Sequence, residues 1–204
     1  MELKKALEEL RKEKKRKFEQ TVDLVVNLKG INLRRDNIAL VINIPHKVKD
    51  KKVCGFLTKK NELVETITKP EFQKYKDKKI LKGLVDDFDF FIANASLMPA
   101  VATTFGKDLG PAGKMPSPQL GIITQETPEV IKTLLKKISK SIKIRAKETS
   151  IKIAAGKENM KDEEIIDNIK AIYNAIVNAL PTKKENVKNV LLKFTMSKPI
   201  EVDM

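Results

Sequence analysis

A chain of 204 residues has room for one large or two small hydrophobic cores. Its 41 lysines and arginines against 27 acidic residues leave a formal charge of +14, which calls for a polyanionic partner, nucleic acid or an anionic membrane surface. A lone cysteine and a lone histidine exclude an intrachain disulfide and argue against a zinc site, and no apolar run approaches the ~18 residues of a spanning helix.

The N-terminus reads as a helix with a thin apolar stripe, Leu3, Leu7 and Leu10, insufficient for a membrane anchor. There is no hydrophobic leader segment, so nucleic acid is the better partner. The basic run Arg11-Lys12-Glu13-Lys14-Lys15-Arg16-Lys17 follows. It reads either as a solvated helix end or as a strip that neutralises phosphates. Over residues 18–28, Val22, Leu24, Val26 and Leu28 alternate with Thr21, Asp23 and Asn27, predicting a strand with one packed face. Residues 38–44 predict a second strand, ended by Pro45 beside His46.

The middle of the chain is patterned differently. Residues 52–57 and 88–95 are short apolar runs of the kind found in buried parallel strands, and Cys54 sits in the first as a small buried group. Helices are expected over 62–68, capped by Asn61, and over 97–105, capped by Ser96. The acidic cluster Asp86, Asp87 and Asp89 has no Ser, His or Lys motif beside it and reads as a polar loop ahead of a strand. Residues 109–118 hold two glycines and three prolines, which predicts a stiffened loop outside any helix or strand. Thr127-Pro128-Glu129 opens a further helix running through residue 135.

The basic run over 132–147 follows, with Lys136, Lys137, Lys140, Lys143, Arg145 and Lys147 on the exposed side. Its apolar members Leu134, Leu135, Ile138, Ile142 and Ile144 should face a core. Ile165, Ile169, Ile172, Tyr173, Ile176 and Val177 then recur at helical spacing over 164–180, before Pro181. Val190, Leu192 and Phe194 alternate as a closing strand.

Opening and closing segments thus predict an α+β layer, and the middle a small doubly wound α/β layer inserted into it. Two connections, near residues 46–51 and 137–143, would join them as a hinge. Arginine, which reads guanine edges bidentately, stands only at positions 11, 16, 34, 35 and 145. The basic set is otherwise lysine, part of which fits heat adaptation. Aromatics are 5% and tryptophan is absent, which disfavours a stacking platform for single strands and favours structured RNA read by backbone and shape.

Gly113-Lys114 echoes the end of a Walker A loop. That motif needs a glycine where Asp108 stands and a hydroxyl where Met115 stands, so the phosphate reading fails. No Gly-x-Gly-x-x-Gly follows a strand, so dinucleotide binding is not supported either.

The segment over 105–118 resembles the signature loop of a ribosomal family, that of ribosomal protein L-one in the mobile lateral stalk of the large subunit. Lys17-Phe18-Glu19-Gln20-Thr21-Val22 resembles that family's opening strand. Thr195-Met196-Ser197-Lys198-Pro199 resembles its closing strand and turn, and Asn168-Ile169-Lys170-Ala171 its last helix. The match runs in order over nearly the whole chain, and the short segment before Lys17 is more similar to archaeal than to bacterial members.

The resemblance implies an α+β first domain over 1–48 and 139–204, split between the termini, with an inserted α/β Rossmann-like second domain over 49–138. It implies an rRNA surface on the first domain formed by Lys17, Phe18, Thr21, Thr195, Met196 and Ser197. Lys17 would meet phosphate, and Thr21 and Thr195 hydroxyl or 2′-OH groups; Phe18 and Met196 would pack on a sugar or base. Ser197 stands where many members have glycine. The signature-loop residues Gly110, Pro111, Gly113, Lys114, Met115 and Pro116 would belong to the second domain and make a lesser contact or support the hinge.

The implied protein is a cytoplasmic ribosomal component, monomeric when free, without cofactor or metal. Its implied partners are large-subunit rRNA, exit-site tRNA and its own mRNA leader. A nucleotide-dependent enzyme using the inserted module is the alternative, and a basic membrane-surface adaptor a third reading.

Overall fold

The computed structural model describes residues 1–12, 16–32, 38–118, 120–146 and 148–204. Of the first basic run, Arg11, Lys12, Arg16 and Lys17 are among the described residues, while Glu13, Lys14, Lys15, Arg34, Arg35 and Lys147 lie outside them.

In chain order the elements are α1 (Leu3–Lys12), β1 (Thr21–Leu28), β2 (Ala39–Asn43), β3 (Val53–Phe56) and β4 (Glu65–Ile67). Next come α2 (Lys78–Asp87), β5 (Phe90–Asn94), α3 (Met98–Ala112), β6 (Ile122–Ile123) and α4 (Pro128–Ser139). The last are β7 (Ser141–Arg145), β8 (Ser150–Lys157), α5 (Asp162–Ala179), β9 (Val187–Phe194) and β10 (Ile200–Glu201). Among the described residues the architecture is mixed α/β with three sheets, divided into a terminal unit, Met1–Val48 with Lys140–Met204, and a central unit, Lys49–Ser139.

The terminal unit is built on an antiparallel sheet in the order β10-β9-β1-β8, with a separate antiparallel ribbon of β2 and β7. In β1 the burial alternates strictly along the strand, so Val22, Leu24, Val26 and Leu28 all enter the core. They meet Val190, Leu192 and Phe194 of β9 and Ile151, Ile153 and Ala155 of β8 in one cluster. The apolar stripe of α5 and Ala6, Leu7 and Leu10 of α1 close that cluster. Asp162, Glu163 and Glu164 in the first turn of α5 complement the positive end of its dipole.

The central unit carries a parallel sheet in the order β4-β3-β5-β6. Its core gathers Phe56, Phe72, Phe88, Phe91 and Phe105. Phe105 lies at the middle, its ring 4.8 Å from Phe56 and 5.1 Å from Phe72. Cys54 is fully buried in β3, and burial pushes its thiol up to about 12, with Glu65 adding to the rise.

Four local expectations are corrected. Residues 65–67 form β4 rather than a helix, because Val64, Thr66, Ile67 and Thr68 are β-branched and crowd a helical turn. Asn61 makes a turn instead of a cap, its Oδ1 accepting from the Leu63 N–H at 2.9 Å. The turn leading into α3 is capped by Asn94, which accepts from both the N–H and the hydroxyl of Ser96 at 2.9 Å. Asp86 and Asp87 close α2 rather than standing in a loop.

The proline-rich stretch is also partly helical: α3 runs through Gly110, Pro111 and Ala112. A residue ahead of proline is driven from helical angles by its own Cβ, and Gly110 has none. Gly113 then stops the helix at φ 70°, with its N–H donating to Gly110 O and that of Lys114 to Leu109 O, each at 3.0 Å.

Candidate nucleic-acid interface

The beginning of β1 and the end of β9 lie side by side because Val22 pairs with Phe194 in register. One residue outward the chains are tied by their threonines. The Thr195 N–H donates to Thr21 O at 3.1 Å, and the Thr21 N–H donates to the Thr195 hydroxyl oxygen at 3.0 Å. Both side chains keep some surface, Thr195 being exposed and Thr21 half-buried.

Gln20 fastens the next step out. It is 5% exposed, and its Oε1 accepts the Met196 N–H at 3.2 Å. Its own N–H donates to Glu158 Oε2 at 3.3 Å, while its carbonyl accepts from the Glu158 N–H at 2.9 Å. A single buried amide thus joins the opening segment, the closing turn and the turn after β8. Ser197 points inward, its Oγ accepting the Phe194 N–H at 2.8 Å, so this hydroxyl shapes the turn.

The tied segments carry two exposed apolar side chains: Phe18 is 51% exposed and Met196 58%. Lys17 and Lys198 are exposed beside them in sequence, and so are Lys12 and Arg16. Arg11, by contrast, is used up inside the fold. It donates twice to Asp162 Oδ1, at 2.8 and 2.6 Å, and to the carbonyls of Glu158 and Met160. Lys157 pairs with Glu19 at 2.9 Å, and Asn159 donates to the same carboxylate. Farther along β1, burial raises the carboxyl of Asp23 above its usual range against the opposing pull of Lys193, its cross-strand partner.

This arrangement offers ammonium groups for phosphates and two flat or flexible apolar surfaces for a sugar or base. Among the described residues no group of three His, Cys, Asp or Glu side chains stands in metal-binding reach.

The signature-loop residues Gly110, Pro111, Gly113, Lys114, Met115 and Pro116 belong to the central unit. Lys114 is spent on packing: its Nζ donates to the carbonyls of Val85 at 2.6 Å and Phe88 at 2.8 Å, capping the end of α2. Pro116 is buried.

Two positioning residues escape a reading by motif alone. Gln20 lay inside the opening motif, its polarity unremarkable until Met196 is brought to it. Asn168 is fully buried in α5, accepting from the His46 N–H and donating to His46 O, both at 3.0 Å, and to Ala155 O at 2.9 Å. Its signal was present: it falls three residues after Ile165 and four before Ile172, on the apolar face of the helix.

The model of the ribosomal protein L1p/L10e family matches residues 10–198. A large ribosomal subunit protein uL1 of Pyrobaculum calidifontis is 33% identical, over 98% of this chain and 92% of its own length. The protein of the same name from Korarchaeum cryptofilum is 34% identical over 93% and 88%, and that of Thermoplasma volcanium 35% over 92% and 88%.

Proposed function

The chain belongs to the ribosomal protein L1p/L10e family, and we propose that it binds the rRNA of the mobile lateral stalk through the surface where β1 opens and β9 closes. The family is a structural component of the ribosome rather than an enzyme, so a large-subunit ribosomal role is the frame for this reading. The observation that carries it is the exposure of Phe18 and Met196 on two segments, 178 residues apart in sequence, that Gln20 and the threonine pair hold together. What favours RNA is the company these groups keep, exposed lysines next to them in sequence on a tied polar frame, which suits a sugar or base with its phosphate.

In this reading the terminal unit is the split α+β rRNA-binding domain and the central unit its Rossmann-like insertion. Lys17 meets phosphate, Thr21 and the Thr195 hydroxyl meet 2′-OH groups, and Phe18 and Met196 pack on unstacked bases or sugars. Ser197 serves by holding the turn, which leaves the backbone there to approach the RNA. The clamped stalk moves as deacylated tRNA leaves the exit site. Binding to a copy of the rRNA site in the protein's own mRNA leader would give repression as a second role. Among the described residues no helix is long and apolar enough to cross a membrane.

The test is binding to a transcript of the stalk region and to a scrambled duplex of equal length across a salt series. A large preference for the stalk at moderate salt supports specific recognition. Affinities that are equal and fall together with salt would leave only lysine electrostatics and overturn the reading. Repression is tested with the leader transcript, and indifference to it at concentrations that saturate the rRNA site removes that role.

A further inference from the structure

In the central unit the chain order of the parallel strands reverses at β3: β4 lies on one side of it and β5 on the other. The crevice beyond the carboxyl ends of such a pair is where doubly wound sheets bind ligands. Here that crevice has a volume of about 420 Å³ and is lined by Leu57, Thr58, Lys59, Lys60, Asn61, Asn94 and Glu126.

The donors around it converge on one carboxylate. The Thr58 N–H reaches Glu126 Oε1 at 2.8 Å and the Thr58 hydroxyl reaches Oε2 at 2.6 Å. Asn94 Nδ2 donates to Oε1 at 2.7 Å. Asn94 is itself held by Ser96, which donates to its Oδ1 through both N–H and hydroxyl. A backbone N–H, a hydroxyl and an oriented amide converging on one point, with Lys59 and Lys60 among the lining residues, make a donor set of the kind that takes oxyanions.

We infer that the central unit has an oxyanion seat at its switch point and that Glu126 occupies it in cis, closing it to phosphate. A carboxylate and a phosphate present the same acceptor oxygens to these donors, and a tethered group excludes a free one through its high local concentration. The lining contains no aromatic ring to hold a base. The seat therefore reads the phosphate group alone.

The experiment is a titration of the isotope-labelled full chain with inorganic phosphate at constant ionic strength. The reporters are the backbone amides of Thr58 and Lys59 and the side-chain amide of Asn94. The wild type should show no saturable shift at these groups, whereas Glu126→Ala should saturate at concentrations at least about tenfold lower than any wild-type response. Glu126→Gln, similar in size and uncharged, guards against a folding failure and should also admit phosphate more readily than the wild type. Adenosine monophosphate, in a separate arm, should bind Glu126→Ala no more tightly than phosphate does. Equal responses in wild type and variants, no response in a folded variant, or a strong preference for the nucleotide would each overturn the proposal.

Discussion

The two units solve the same problem with different material. The terminal unit fills its core mainly with Ile, Leu and Val from antiparallel strands, Phe194 and Tyr173 being its aromatic members. The central unit packs five phenylalanines around short parallel strands. The polar groups differ in the same way. In the terminal unit, buried amides bridge segments far apart in sequence: Gln20 to Met196, Asn168 to His46. In the central unit, lysines cap helix ends, Lys114 on α2 and Lys51 at 2.9 Å from Ile138 O on α4. The proposed RNA surface stands on the first kind of tie, so it exists only when residues from both ends of the chain are assembled. The central unit is continuous in sequence and depends on its ring cluster.

The sharpest way to break that contrast is Phe105→Ala. The ring is fully buried among Phe56, Phe72 and Tyr75, and its removal should cost the central unit about 3–5 kcal/mol. Native-state amide exchange should show the loss across β3, β5 and α3 while β1, β8 and β9 keep their protection. Stalk binding should survive at temperatures where the central unit has opened. Equal loss of protection in both units would mean that they fold as one cooperative body.

Asn168→Ala attacks the other kind of tie. It leaves the His46 N–H and the carbonyls of His46 and Ala155 without their side-chain partner in a buried site, at a cost of about 1–3 kcal/mol. The loss should appear in α5, β8 and the segment after β2, with the central unit's exchange unchanged. His46 also lies 3.7 Å from Asp167 and 3.9 Å from Glu164, and this side-chain pairing should loosen with the backbone anchor. Undiminished protection near residue 46 would show that the anchor is redundant.

How much of this was legible from the chain alone depended on whether the signal was local. The alternation in β1 and β9 and the stripe of α5 are period-2 and period-3.6 patterns carried by each segment itself, and these elements stand where the patterns put them. β8 has the same alternation in Ile151, Ile153 and Ala155, but it is short of turn signals and follows a lysine-rich run, so the pattern alone does not single it out. α2 carries a weak signal because its buried apolar residues, Leu81, Leu84 and Val85, are few among lysines and acids. At the candidate surface, motif residues such as Phe18 and Met196 could be named, but the inward turn of Ser197 and the reach of Gln20 arise from pairing across the fold. No window of sequence contains both partners of such a contact.

Phe18→Ala should reverse the pattern of Phe105→Ala. More than half exposed, Phe18 contributes little to the core, so the substitution should shift stability by no more than about 0.5 kcal/mol. Stalk affinity should fall by about 1–3 kcal/mol, the scale of a base or sugar stacking contact. Met196→Ala tests the same surface from the other segment. Thr195→Val, which keeps the shape and removes the hydroxyl, tests that group's RNA contact together with the tie it accepts from the Thr21 N–H. Unchanged affinity in all three with folding intact would put the RNA surface elsewhere.

The smallest effect is a difference in sign between the units under acid. Burial raises Asp23 in β1, so the native terminal unit holds that proton more tightly than the unfolded chain does. Its contribution is full below the unfolded value of 3.8 and is lost as pH rises through the raised native value. Burial pushes Glu126 up as well, but hydrogen bonds from Thr58, Asn94 and Lys59 together outweigh it and leave its native value below the ordinary 4.5. Its contribution is present above 4.5 and is lost as pH falls through the lowered native value. Between neutral pH and the acid range, Asp23 therefore gains for the terminal unit while Glu126 loses for the central one. Exchange followed residue by residue at falling pH, with Asp23→Asn and Glu126→Gln as references, should show each variant flattening the response of its own unit only. Parallel responses that neither variant alters would mean that other carboxylates control the acid behaviour of both units.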